Sequence, residues 1–148
     1  MVMKRMLAEG GFACMLVNQR ALVDQHAKEI EENLGVKVVR LLGQQENFTS
    51  PWSELKGVLV STAEVFRKAL EHGFLRLDAE CKLLVLDEVH HAKGDHPYVK
   101  ILLKARERPE VRLLGLTACW LHGKFSRTEE QKCALEEPMS AGGTELYL

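Results

Sequence analysis

Five short apolar runs punctuate the chain, at residues 12–17, 36–42, 57–61, 82–86 and 111–116, each rich in Val, Leu and Ile. Each has strand length, and none alternates strictly between apolar and polar. Continuous apolar runs of this kind fit strands covered on both faces, as in parallel sheets. Helical periodicity fills the intervals. Over Arg20–Leu34, the residues Val23, Ala27, Ile30 and Leu34 share one face, while Asp24, Lys28, Glu31 and Glu32 fall elsewhere. Gly35 follows as a left-handed C-terminal cap. Residues 64–72 predict a second helix closed by Gly73, and residues 97–104 a third, with Pro97 suited to a first helical position. Strands and helices in alternation predict an α/β domain with a mostly parallel sheet and right-handed crossovers.

The remaining stretches read differently. Residues 43–51 are polar and contain a Ser-Pro pair, which predicts an exposed loop. Ser126 and Glu129 form a capping box that starts a short polar helix, which Pro138 must end. Ala141-Gly142-Gly143-Thr144 then reads as a frayed tail. No internal repeat is present.

Composition narrows the class. A chain of 148 residues predicts one domain. With 46% hydrophobic and 28% charged residues, it is not disordered, collagenous or a coiled coil. No apolar run approaches the roughly 20 residues of a membrane helix. The first residues show neither an apolar signal core nor a cleavage site. The expectation is therefore a cytoplasmic protein, with the nucleus as the other reducing compartment, and no membrane partner. Cys14, Cys81, Cys119 and Cys133 are scattered without a C-x-x-C pair, which fits that setting. Twenty Lys and Arg against 21 Asp and Glu give a net charge of −1. Any nucleic-acid binding must then come from local placement. Residues 91–132 hold nine basic residues against five acids, and a solvated helix face accounts for them as readily as an RNA backbone does. Trp52 and Trp120, single aromatics beside turns, read as packing residues rather than base-stacking platforms.

The segment richest in chemistry is Lys82-Leu83-Leu84-Val85-Leu86-Asp87-Glu88-Val89-His90-His91. A buried strand ends there in two adjacent carboxylates. Ligands of open α/β sheets bind outside the carboxyl ends of the strands. Two readings follow: a solvated strand end, or a nucleoside-triphosphate site. In the second, the first acid holds Mg²⁺ through water and the next activates the attacking water. Thr117 follows Asp87 by 30 residues, in Leu114-Gly115-Leu116-Thr117-Ala118, again at the end of an apolar strand. His90, His91 and His96 lie close in sequence to Cys81, but their adjacency favours surface and coupling roles over a four-ligand zinc site.

This pair of motifs resembles motifs II and III of superfamily 2 helicases of the DExH type. Motif II stands as Asp87-Glu88-Val89-His90 and motif III as Leu116-Thr117-Ala118. Met15-Leu16-Val17-Asn18-Gln19-Arg20-Ala21-Leu22-Val23-Asp24-Gln25 is similar to motif Ia. Val58-Leu59-Val60-Ser61-Thr62-Ala63 is similar to the later motif ending in Thr-Ala. Asp95-His96-Pro97-Tyr98 and Leu121-His122-Gly123-Lys124 narrow the resemblance to the helicase domain of Dicer, the double-stranded-RNA ribonuclease of RNA silencing. It runs from about residue 11 to about residue 136 and is dense between residues 82 and 124.

The resemblance implies a parallel-sheet RecA-like lobe of the P-loop NTPase type over residues 1–124, followed by a short helix and tail over 125–148. It implies ATP and Mg²⁺ as the cofactors of the intact family. Asp87 matches the Mg²⁺ ligand, acting through water, and Glu88 the water-activating acid. His90 matches the residue coupling motif II to a second lobe, and Thr117 the motif III hydroxyl. Asn18, Gln19, Arg20 and Thr62 lie where the family touches the RNA backbone, contacts that read shape rather than bases. The implied partners are double-stranded RNA, the second helicase lobe and the nuclease domains.

Two departures shape the expectation. The phosphate-cradling loop G-x-x-x-x-G-K-[ST] is missing. Gly123-Lys124-Phe125-Ser126 holds the sole Gly-Lys, and it lacks the leading Gly. Residues 1–9 read instead as the tail of the helix that normally follows that loop, so the lobe is expected to lack its P-loop strand and to leave a sheet edge unpaired. Cys119 stands where relatives often carry Ser. The expectation is part of a Dicer-like helicase domain that does not hydrolyse ATP alone. The alternatives are a short non-catalytic isoform that binds RNA or a partner, part of another DExH helicase or RNA sensor, and a gene-model fragment with no independent function.

Overall fold

The computed structural model describes residues 2–8, 10–43, 57–77 and 81–117. The predicted loop at 43–51 beyond Gly43, Trp52, Trp120, Cys119, Cys133, residues 121–124 and the whole of 125–148 lie outside these described residues.

Strand and helix alternate as the apolar pattern requires. The order is α1 (Val2–Ala8), β1 (Phe12–Val17), α2 (Arg20–Leu34), β2 (Val38–Leu41), β3 (Gly57–Thr62), α3 (Ala63–Glu71), β4 (Cys81–Leu86), a 3₁₀ turn (Val89–His91), α4 (Pro97–Arg106) and β5 (Arg112–Gly115). The five strands form one sheet in the order β2-β3-β1-β4-β5, and every pairing is parallel. Among the described residues, β2 and β5 each have one strand neighbour.

Both faces of the sheet are covered. All six residues of β1 are buried. Phe12, Cys14 and Leu16 join Phe66, Tyr98, Ile101 and Leu102, which places α3 and α4 on that face. Ala13, Met15 and Val17 join Val23 and Ala27 on the other face, with Met3, Leu7, Leu22 and Ile30 packed around them, so α1 and α2 lie there. The two-residue pleat of a strand splits the apolar run between the faces. This explains why the runs show no alternation. Burying one such Leu or Phe side chain is worth about 1.5–3 kcal/mol. The Cys14 thiol is pushed well up by that burial, with Cys81 beside it adding to the effect.

Element ends differ from the sequence pattern by one or two residues, each for a local reason. The second strand pairs from Val38, opposite Val58, so Val36 and Lys37 precede the ladder rather than belong to it. Helix α3 begins at Ala63, because the Thr62 hydroxyl accepts from the Val65 amide at 3.4 Å and caps it. Helix α4 continues past Lys104 to Arg106, where the Glu107 cap takes over. The last strand starts at Arg112 because the Val111 amide donates to Arg108 in a turn.

Parallel strands bring all their carboxyl ends to one edge of the sheet. The segments that leave β1, β3, β4 and β5 there are Asn18-Gln19, Thr62, Asp87-Glu88 and Leu116-Thr117. Every site residue named from the sequence therefore sits on one edge of the domain.

Candidate functional site

Asp87 is held by its backbone from two directions. Its amide donates to the Leu16 carbonyl at the end of β1, at 2.9 Å. Its own carbonyl accepts from the Tyr98 hydroxyl at 2.7 Å, and the same hydroxyl lies 3.0 Å from the Leu16 carbonyl. The carboxylate is 20% exposed, and Oδ2 lies 3.4 Å from Nε2 of His26. The other ring nitrogen of His26 lies 3.2 Å from Oε2 of Glu29. The imidazole thus sits between two carboxylates and brings α2 up to the end of β4.

Glu88 has φ 50° and ψ 49°, and is the one non-glycine with positive φ among the described residues. That left-handed turn ends the strand and swings the carboxylate toward His90. Nδ1 of His90 lies 2.9 Å from Thr117 Oγ1 and 3.0 Å from Glu88 Oε2. The Thr117 hydroxyl and the Glu88 carboxylate both face that one ring nitrogen. Thr117 holds the hydrogen-bonding position, while the buried Glu88 Oε2 has no hydrogen-bond partner. The backbone stitches the same segments together. Val89 donates to the Leu116 carbonyl at 2.9 Å, and Leu116 donates to the Leu86 carbonyl at 2.8 Å. Glu88, His90 and Thr117 are therefore brought together, while the Asp87 carboxylate lies against His26.

The histidines form a row along this edge. His90 and His91 ring centroids are 4.2 Å apart, His91 and His96 are 6.0 Å apart, and His96 and Tyr98 are 4.8 Å apart. His96 caps α4, its Nδ1 accepting from the Tyr98 amide at 3.3 Å. Burial, and then the nearby His91, lower the pKa of His96.

The four residues expected at RNA lie at the ends of the adjacent strands β1 and β3. Gln19 and Arg20 are exposed at the start of α2, where Gln19 makes no side-chain cap. Asn18 is half-buried, and its Oδ1 has no hydrogen-bond partner. Thr62 is half-buried, with its hydroxyl occupied in capping α3.

Sequence reasoning missed two participants. His26 falls three residues after Val23 and four before Ile30, so it shares the inward stripe of α2. A polar residue on an apolar stripe was the available signal. Tyr98 belongs to the Asp-His-Pro-Tyr block and to the stripe Tyr98, Ile101, Leu102 and Ala105, all buried. Its hydroxyl needed a buried acceptor, and the strand ends supply two.

The chain is similar to known proteins in sequence and in fold. Residues 1–124 match the DEAD/DEAH box helicase family, and the chain belongs to that family. Within it, the similarity is to the Dicer group. The chain is 36% identical over 118 residues to Dicer-like protein 1 of Neurospora crassa, covering 72% of this chain and 7% of that protein. It is 31% identical over 150 aligned positions to Endoribonuclease dcr-1 of Caenorhabditis elegans, covering 91% of this chain and 8% of that protein. The crystal structure of the Pyrococcus furiosus Hef helicase domain superposes with a TM-score of 0.77 at 26% identity, covering 97% of this chain and 30% of that one. The chain thus corresponds to part of a Dicer-like helicase domain, in its RecA-like lobe, and spans less than a tenth of the length of these Dicer-type relatives. Use of ATP and Mg²⁺ is general in the family.

Proposed function

We propose that Asp87 and Glu88 are the acids of the ATP site in a lobe that works on double-stranded RNA, beside a second helicase lobe and nuclease domains. The observation that carries this reading is that two adjacent carboxylates end β4, Asp87 20% exposed and 3.4 Å from His26, Glu88 with Oε2 3.0 Å from His90 Nδ1. Both are hard oxygen donors at the strand edge where α/β sheets bind ligands, and this set fits a Mg²⁺ ion held through water. Mg²⁺, when bound with ATP, supplies charge neutralisation at the phosphates. In this reading Asp87 would hold that ion through water, and Glu88 would accept a proton from the attacking water. His90 and Thr117 tie motif II to motif III. Asn18, Gln19, Arg20 and Thr62 face the RNA backbone.

The 148 residues hold no phosphate-cradling loop, so this chain does not turn over ATP by itself. Purified chain is expected to bind double-stranded RNA without Mg²⁺. Arg20→Ala is expected to weaken that binding and lower its salt slope by about one. Binding indifferent to Arg20→Ala contradicts the RNA assignment. Mg²⁺-dependent ATP hydrolysis by the chain alone, abolished by Glu88→Gln, contradicts the dependence on a missing loop.

A further inference from the structure

Glu88 poses a conformational problem that its own chemistry does not solve. A side chain with a Cβ avoids the left-handed region, and a residue held there persists only where its surroundings over-determine it. Here the flanking peptide groups are fixed one by one. Asp87 N–H donates to Leu16, which fixes the peptide before Asp87. Val89 N–H donates to Leu116, and the Glu88 carbonyl accepts from His91 N–H at 3.0 Å, which fix the peptide after Glu88. The peptide between Asp87 and Glu88 is the one whose rotation would release the strain. Its carbonyl is held at 2.7 Å by the hydroxyl of Tyr98.

That hydroxyl is well placed to hold it. Tyr98 is fully buried, so water does not compete for the bond. The ring is clamped in the cluster that includes Leu16, Leu86, Val89 and Ile101. Its position in the chain is set by Pro97 and the His96 cap at the start of α4. The second acceptor, Leu16 O at 3.0 Å, ties the same hydroxyl to β1, so one side chain locks two strand ends together.

We propose that Tyr98 is a positioning residue, whose hydroxyl holds the Asp87–Glu88 peptide so that Glu88 stays left-handed with its carboxylate beside His90. The consequence for catalysis rests on Glu88 being the water-activating acid. The positioning itself does not, and it is tested without nucleotide. Loss of the hydroxyl in Tyr98→Phe keeps the ring and its volume. The unfolding equilibrium constant of the chain is expected to rise about tenfold. Glycine adopts the left-handed conformation freely and has no strain to give back when the hydroxyl is lost, so in a Glu88→Gly background the same change is expected to cost about fivefold more than in the native chain. Glu88→Gln removes the carboxylate charge but keeps the strain, so the tenfold loss returns in that background.

A spectroscopic signature accompanies this cycle. Tyr98→Phe is expected to shift the side-chain ¹⁵N resonance of His90, whose Nδ1 lies 3.0 Å from Glu88 Oε2. Equal losses in all three backgrounds, or an unmoved His90 resonance, overturn the proposal. Should Tyr98→Phe fail to fold, 3-fluorotyrosine at position 98, which keeps the hydroxyl but makes it a stronger donor, is expected to shift the same His90 resonance, and an unmoved resonance overturns the proposal.

Discussion

His90 and Thr117 stand 27 residues apart in the chain and 2.9 Å apart in space, Nδ1 to Oγ1. This contact joins the end of β4 to the segment leaving β5, and the Val89–Leu116 backbone bond lies beside it. The acidic segment at the end of β4 is thereby tied to Thr117. Thr117→Val keeps the shape of the side chain and removes its hydroxyl. It is expected to destabilise the chain by about 1 kcal/mol, since the bond is half-buried. A urea midpoint that does not move would show that the contact contributes nothing to stability.

Stability should fall on mild acidification, and His96 is the reason. Its Nδ1 must be unprotonated to accept from the Tyr98 amide. Burial and His91 depress its folded pKa below the ordinary 6.5. The unfolded chain therefore binds the proton more readily than the folded one. The cap's contribution is complete above pH 6.5 and is lost as the pH falls through the depressed folded value. His96→Asn keeps a capping oxygen without a titrating ring. Melting temperatures between about pH 7.5 and about pH 5.5 are expected to fall for the native chain and less for the variant. Parallel profiles contradict the assignment to His96. Glu64, held down to about 2 by Arg67, titrates in a separate and more acidic window.

Two glycines should respond differently to alanine. Gly57, at the start of β3, has φ 108°, and a Cβ there would meet the Lys37 carbonyl oxygen at 2.8 Å. Gly35, which caps α2 at φ 65°, has nothing within 4 Å of a Cβ. Gly35→Ala carries the left-handed penalty alone, about 1 kcal/mol. Gly57→Ala adds a backbone collision that pushes β2 from β3, and about 2–3 kcal/mol is expected. Chemical denaturation of both variants checks the order, and a smaller loss at Gly57 contradicts it.

The open strand edges carry a liability. Among the described residues, β2 and β5 pair on one side only, and such edges template pairing with other chains. Sedimentation velocity is expected to show association that rises with concentration. A monomer at every concentration, with a sharp reversible melt, contradicts this expectation.

The sheet was legible in the sequence because its information is local. A parallel strand buried on both faces announces itself as an apolar run, and Phe12–Val17 and Arg20–Leu34 match to the residue. The acids were legible for the same reason, since Asp87 and Glu88 sit where the apolar run stops. Long-range relations were not legible. Nothing near Glu88 in sequence signals a left-handed backbone, because that conformation is fixed by Leu16, Tyr98 and Leu116, from three different segments. His26 reaches Asp87 only because β1 and β4 are neighbours, a pairing that the order of the strands in the chain does not dictate. The capping of α3 by the Thr62 hydroxyl was a local use that its place before Ala63 and Glu64 already allowed.

The central claim is that the end of β4 is the metal-bearing edge of an ATP site. Paramagnetic broadening of amide resonances by Mn²⁺, used in place of Mg²⁺, reads this on the chain itself and needs no turnover. The account predicts broadening centred on Asp87 and Glu88, spreading to Leu16 and Leu116, and abolished by Asp87→Asn. Broadening confined to other surface acids, with the end of β4 untouched, would contradict it.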